Sequence, residues 1–231
     1  MGQRQHTNYI EAADPRRVAD VMVSLFRREG IRQVAEPRPD IALSPEANLD
    51  AGAMETPLWS VRLLPGAAGW TIVKTVPFEL LGERAPNAHR MRLVALAGRL
   101  GAAAVQINLY DSAFLVLVEI DRRSRCLLSG YGPGSLRNPD PLQFNGEPLD
   151  EARIDVRFEL LPFQQLVWDS TRYDYAGPTL DHEQLVSRLA QKLGGRNAAW
   201  CDDAKFTEIL LSRKPFPARN GMTLHFELSA D

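Results

Sequence analysis

Residues 105–128 read VQINLYDSAFLVLVEIDRRSRCLL. Val105, Ile107 and Leu109 alternate with Gln106, Asn108 and Tyr110, the period of two that marks a strand with one buried face. Phe114 to Ile120 is apolar on both faces and therefore predicts a central strand. Asp111-Ser112 and Arg122 to Arg125 supply the turns, so the segment predicts an antiparallel meander ending near Cys126 to Leu128. Strands that follow one another without intervening helices argue for an α+β fold rather than alternating βα units.

Upstream, Asp14-Pro15 is a side-chain acceptor followed by the residue whose missing N–H costs nothing at a helix start. Val18, Val21, Met22, Leu25 and Phe26 form one apolar stripe, and Gly30 stands where a left-handed cap belongs. Trp59 to Leu64 and Trp70 to Val76 flank Pro65-Gly66-Ala67-Ala68-Gly69, which predicts a hairpin. A second helix is expected over 87–100, with Met91, Val94, Ala97 and Leu100 inward and Gly101 at its end. Residues 36–57 carry four prolines and read as an irregular loop around a short apolar piece, Ile41 to Leu43. Met1 to Asn8 is polar and lacks an apolar signal core.

Downstream, Gly130 to Pro148 is dense in glycine and proline and is either a linker or a long loop. Ile154, Val156, Phe158 and Leu160 then alternate with charged residues as in a half-buried strand. Asp181 with Gln184 resembles a capping box, and Leu185, Leu189 and Leu193 continue that helix to Gly194-Gly195. A further helix over 202–211 and a final strand through Met222, Leu224, Phe226 and Leu228 complete the order. The expected fold is α+β: a mostly antiparallel sheet with hairpins and a meander, packed by three to four helices. One domain over 1–231 is expected, with 1–130 and 149–231 as sub-lobes if the glycine- and proline-rich segment acts as a linker.

A chain of 231 residues with 45% hydrophobic and 24% charged side chains can bury a core without a disulfide or metal. The formal charge is −2, from 29 acidic and 27 basic residues spread along the chain, so no positive field draws in nucleic acid or an anionic membrane. Only Lys74, Lys192, Lys205 and Lys214 are lysines, an arginine bias suited to a GC-rich bacterial genome. No run approaches the length of a membrane span. Two distant cysteines, Cys126 and Cys201, suit reduced structural thiols and a cytoplasmic setting.

Residues suited to chemistry are few and scattered. His6, His89, His182 and His225 are scattered one per segment, without the spacing of metal ligands, and no cofactor motif is present. His89 and His182 fall in first helical turns, where surface histidines are common. His225 shares a face with Thr223 and Glu227, an alternation equally expected of a solvated sheet surface. Cys201 precedes Asp202-Asp203 near a helix start, but the neighbouring carboxylates favour its protonated form. Gly130-Tyr131-Gly132-Pro133-Gly134-Ser135 has the glycine density of a phosphate loop, yet it lacks the lysine and removes an amide at Pro133. Arg122, Arg123 and Arg125 read as a charged turn that discourages edge pairing.

No catalytic or metal-ligating set is assigned from the sequence, and the balance lies against an enzyme. The leading expectation is a non-catalytic protein-binding module of inhibitor or immunity type, which presents Tyr131, Arg137 and Phe144 to a protein partner. Neither nucleic acid nor a membrane is the expected partner. The alternative is a hydrolase or transferase whose site gathers Cys201, His225 and carboxylates such as Glu227 or Asp203 from distant segments.

Overall fold

The computed structural model describes residues 4–35, 58–76, 78, 80–82, 91–131, 140–144, 166, 169–175, 177–212 and 221–228. Eleven strands are β1 (Gln5–Ile10), β2 (Ile31–Val34), β3 (Leu58–Pro65), β4 (Thr71–Val76), β5 (Ala104–Tyr110), β6 (Phe114–Ile120), β7 (Cys126–Tyr131), β8 (Asp140–Phe144), β9 (Thr171–Asp174), β10 (Gly177–Leu180) and β11 (Met222–Leu228). Among the described residues the helices are α1 (Pro15–Arg28), α2 (Arg92–Leu100), α3 (His182–Gly194) and α4 (Asp203–Ser212), with a 3₁₀ turn over Gly195–Cys201. Nine strands form one antiparallel sheet in the order β2-β11-β3-β4-β1-β5-β6-β7-β8, and β9 pairs with β10 as a separate ribbon.

The fold is α+β, as its local patterns require. The meander β5–β6–β7 forms in the expected register, with Tyr110 opposite Phe114 and Ile120 opposite Cys126. Asp111 and Ser112 both adopt positive φ, the conformation of the tight turns that match strand twist. At the next turn the Asp121 carboxylate accepts the Arg123 and Arg125 N–H groups at 2.9 Å each, which fixes the basic hairpin tip. The hairpin β3–β4 forms as read, Pro65 opposite Thr71.

Capping explains the helices. Asp14 accepts the Arg16 N–H at 2.9 Å to open α1, whose stripe Val18, Met22, Leu25 and Phe26 is buried, and Gly30 follows at φ 75°. The expected span of α2 begins earlier than the observed helix, and residues 87–90 lie outside the described residues; Gly101 ends it at φ 61°. Asp181 accepts the Gln184 N–H at 2.9 Å at the start of α3.

The sheet carries a core on each face. On the first, α1 and α2 cover Ile10, Val61, Leu63, Val73, Leu224 and Phe226. On the second, α3 covers Tyr9, Leu64, Ile72, Val105, Ile107, Leu117 and Tyr131. Strands from both sides of the glycine- and proline-rich segment share the sheet: Gly130 and Tyr131 extend β7, β8 pairs with it, and β11 lies between β2 and β3. Ile41–Leu43 and the expected strand at 154–160 lie outside the described residues.

Local sequence patterns do not announce β1, β2, β9 or β10, nor β8, which falls in the segment Gly130 to Pro148 expected to be a linker or loop. The omission of β1 matters most, because this polar segment is the middle strand of the sheet.

Candidate functional site

The approach of the β3–β4 turn to α3 builds the site. The Ala67 N–H donates to the Leu193 carbonyl at 2.8 Å, and the Asn197 side-chain amide donates to the Pro65 carbonyl at 2.7 Å. Gly66 permits this contact, since a Cβ there would lie 2.5 Å from the Leu193 oxygen. Gly195, at φ 56°, then redirects the chain into the 3₁₀ turn. That turn carries Cys201 onto β1, where the Thr7 hydroxyl donates to its carbonyl at 3.1 Å and the Tyr9 hydroxyl to its sulfur at 3.2 Å. Two residues later Asp203 opens α4.

Lys74, Asp203 and His6 meet at this point. The ammonium of Lys74, wholly buried, donates to the carbonyls of His6 at 2.7 Å and Cys201 at 2.8 Å and approaches the Thr7 hydroxyl at 3.3 Å. It also pairs with Oδ1 of Asp203, and the rings of Phe78 and Phe206 lie 5.7 and 5.4 Å from Nζ. Asp203 accepts the His6 backbone N–H at 2.9 Å on Oδ1 and stands 2.7 Å from the imidazole Nδ1 through Oδ2. Burial alone would raise the Asp203 carboxyl, but the Lys74 charge and the hydrogen bonds from His6 outweigh it and hold the group below its ordinary value. The carboxylate therefore orients the imidazole through Nδ1. The imidazole stacks on Phe78 at 5.4 Å and meets the edge of Tyr110 at 5.1 Å.

The adjacent thiol is poorly suited to nucleophilic work. Burial pushes Cys201 upward and outweighs the help of the Tyr9 hydroxyl and the Lys74 charge, so the sulfur stays protonated at neutral pH. Burial also pushes Cys126 up to about 12. Neither cysteine is in a disulfide.

Of the residues weighed from sequence, Cys201 and Asp203 come together, but the imidazole beside them is His6. His225 and Glu227 lie on β11, three places from β1 in the sheet order. There His225 Nδ1 is 2.9 Å from the Ser60 hydroxyl, and Glu227 accepts from Arg32 at 3.0 Å. Glu227 is buried, so this face is not the solvated surface that its alternation suggested. His182 is likewise buried rather than on the surface.

Tyr131 is only 2% exposed and packs in the second core, a correction to its expected presentation from a loop: it completes β7 opposite Leu115. Phe144 ends β8 with its backbone opposite Leu127. Arg137 and His89 lie outside the described residues. Arg122 and Arg125 of the basic turn pair with Glu11 and Asp121.

Sequence reasoning missed His6, Lys74 and Glu119. A signal existed for Lys74, the one cation inside the run TIVKTV. Glu119 lies on β6 opposite Val105 and Leu127, 7% exposed, with Oε1 unpartnered among the described residues. Burial pushes its carboxyl up to about 7.

Among the described residues no His, Cys, Asp and Glu side chains are grouped to hold a metal, and no helix is long and apolar enough to cross a membrane. No family model, curated protein or solved structure matches this chain.

Proposed function

We propose that the protein is a non-catalytic binding module of inhibitor or immunity type that docks a protein partner through the β9–β10 ribbon. The observation that carries this reading is the pair Tyr173 and Tyr175, the first 66% exposed and the second fully exposed. A lone two-stranded ribbon is marginal in water. This one is secured at its base, where Leu180 enters the second core, Arg172 pairs with Asp181, and the Asp181 N–H donates to the Ser170 carbonyl at 2.9 Å. A tethered ribbon that holds two tyrosines in water offers the residue type that most often anchors a protein interface, at little ordering cost. The protonated Cys201 and the separation of His225 from it weigh against the alternative of thiol chemistry. Two cysteines outside any disulfide favour a reducing compartment, which supports a cytoplasmic setting.

The test replaces Tyr175 with a photoreactive benzoylphenylalanine and irradiates the full chain in lysate of its own cells. A single adduct of defined mass is expected from position 175, none from a control position at exposed Arg16, and a much reduced yield when Tyr173→Ser is added. Identical adducts from both positions, or none from position 175, would refute the reading.

A further inference from the structure

We infer that the protein partner presents a lysine or arginine side chain to Glu183, on a surface that runs from the β9–β10 ribbon across the start of α3 to the β5–β6 turn. This rests on the reading of the ribbon as the docking element and adds the chemistry of what docks. The large apolar side chains most open to water among the described residues are four aromatics, Tyr110, Phe114, Tyr173 and Tyr175. They flank the first turn of α3. On one side Arg172 of β9 pairs with the N-cap carboxylate of Asp181. On the other, the hydroxyl of Ser112 in the β5–β6 turn donates to Glu183.

Tyr110 and Phe114 stand opposite each other at the base of that turn, 38% and 40% exposed. Leu109 and Leu115 beside them enter the second core, so alternation turns the two rings to the other side of the hairpin, where they rim the surface. The ribbon reaches about 16 Å from Leu180 to Tyr175 at ~3.3 Å per residue. With the start of α3 and the β5–β6 turn, the surface has the extent of a protein interface rather than of a small-molecule pocket.

Charge singles out the centre of this surface. The arginines around it are each matched to an aspartate: Arg4 to Asp111 at 3.0 Å, Arg172 to Asp181, and Arg188 to Asp169 at 3.9 Å. Glu183 is exposed, and among the described residues its carboxylate meets only the neutral Ser112 hydroxyl. A carboxylate left over on a surface bordered by aromatic rings is matched by a cation that also packs on a ring face, a guanidinium or an ammonium. An acidic partner would meet like charge, and an apolar one would strip water from Glu183 without replacing it. An acid in the first turn of a helix also offsets the helix dipole, so the test must separate that role from contact with a partner.

Benzoylphenylalanine at position 114, irradiated in the full chain as at position 175 and at limiting concentration, tests the inference. Both positions should yield an adduct of the same partner. Glu183→Gln should lower both yields roughly two- to fivefold, the worth of one exposed ion pair, and Glu183→Lys should lower them about tenfold or more. Glu183→Gln combined with Gln184→Glu keeps an acid in the first turn of α3, and its yield should stay as low as that of Glu183→Gln alone. Ser112→Gly, at a position of positive φ that glycine tolerates, removes the hydroxyl but leaves the carboxylate, and should retain the parent yield. The inference is overturned and the ribbon reading left standing if position 175 reacts equally well in Glu183→Lys, if position 114 gives no adduct, or if Gln184→Glu restores the yield. An adduct of twice the chain's mass, which would make the occupant a second copy, overturns it as well. No adduct from position 175 removes the ribbon reading and this inference together.

Discussion

Replacing Glu119 by glutamine should stabilise the protein in alkaline solution and have little effect in acid. The carboxyl is buried between Val105 and Leu127 with one oxygen unpartnered, and its pKa moves from 4.5 to about 7. A folded-state value above the unfolded one means that the folded chain holds this proton more tightly. The group's contribution is therefore complete below 4.5 and is lost as the pH rises through 7. The full loss is about 3 kcal/mol, since each unit corresponds to about 1.4 kcal/mol. Glutamine keeps the shape without the charge, but its amide finds no better partner, which returns about 1 kcal/mol. The net expectation is a variant about 2 kcal/mol more stable than the parent at pH 8, with the advantage vanishing toward pH 5. Urea unfolding followed by tryptophan fluorescence across this range measures the difference directly. Other titrating groups cancel between the two proteins. A difference that does not change with pH would refute the reasoning, because a merely steric effect of the amide has no such slope.

Lys74→Met should destabilise the fold by about 3–5 kcal/mol at neutral pH, because it leaves the buried Asp203 carboxylate without its ammonium; adding Asp203→Asn should cost less than the two single changes together, as a double-mutant cycle in urea would show. Since the Asp203 carboxyl is held below 3.8, the stability it contributes is present at neutral pH and lost as the pH falls through the folded value, so Asp203→Asn should flatten the acid limb of the stability profile. Gly66→Ala should lower the unfolding free energy measured in urea by about 1–3 kcal/mol, as the added methyl meets the Leu193 carbonyl and forces the β3–β4 turn off α3. Cys201 should react with iodoacetamide far more slowly in the native protein than in urea; rapid native labelling at neutral pH would contradict its burial and raised pKa.

Local patterns revealed much of the fold. The helix caps at Asp14 and Asp181, the meander from Val105 to Cys126 and the β3–β4 turn each rest on residues a few positions apart, where periodicity and turn chemistry act. β1 escaped because a central strand covered on both faces normally reads as continuously apolar. Gln5, His6, Thr7 and Asn8 read instead as a polar end. The polar groups of His6, Thr7 and Asn8 are matched by Asp203, Cys201 and Gln106, which lie 98 to 197 residues away in sequence. Nothing local announces such partners. The site was half legible for the same reason: Cys201 and Asp203 are sequence neighbours and were weighed together, whereas the imidazole that joins them comes from the strand that was overlooked. Lys74 was the one departure within an apolar strand that could have pointed to a buried acid.

The place of β11 between β2 and β3 governs how the chain can be made. During synthesis β3 emerges early, yet the neighbour that covers its outer side is translated about 160 residues later. Until then the nascent protein carries an incomplete sheet with a bare hydrogen-bonding edge next to Trp59 and Val61, a template for other chains. Expression yield should therefore depend on how soon this strand leaves the ribosome. Fusions or stop codons that withhold residues 222–228 should give insoluble protein, even though the hairpins translated before them are already in hand.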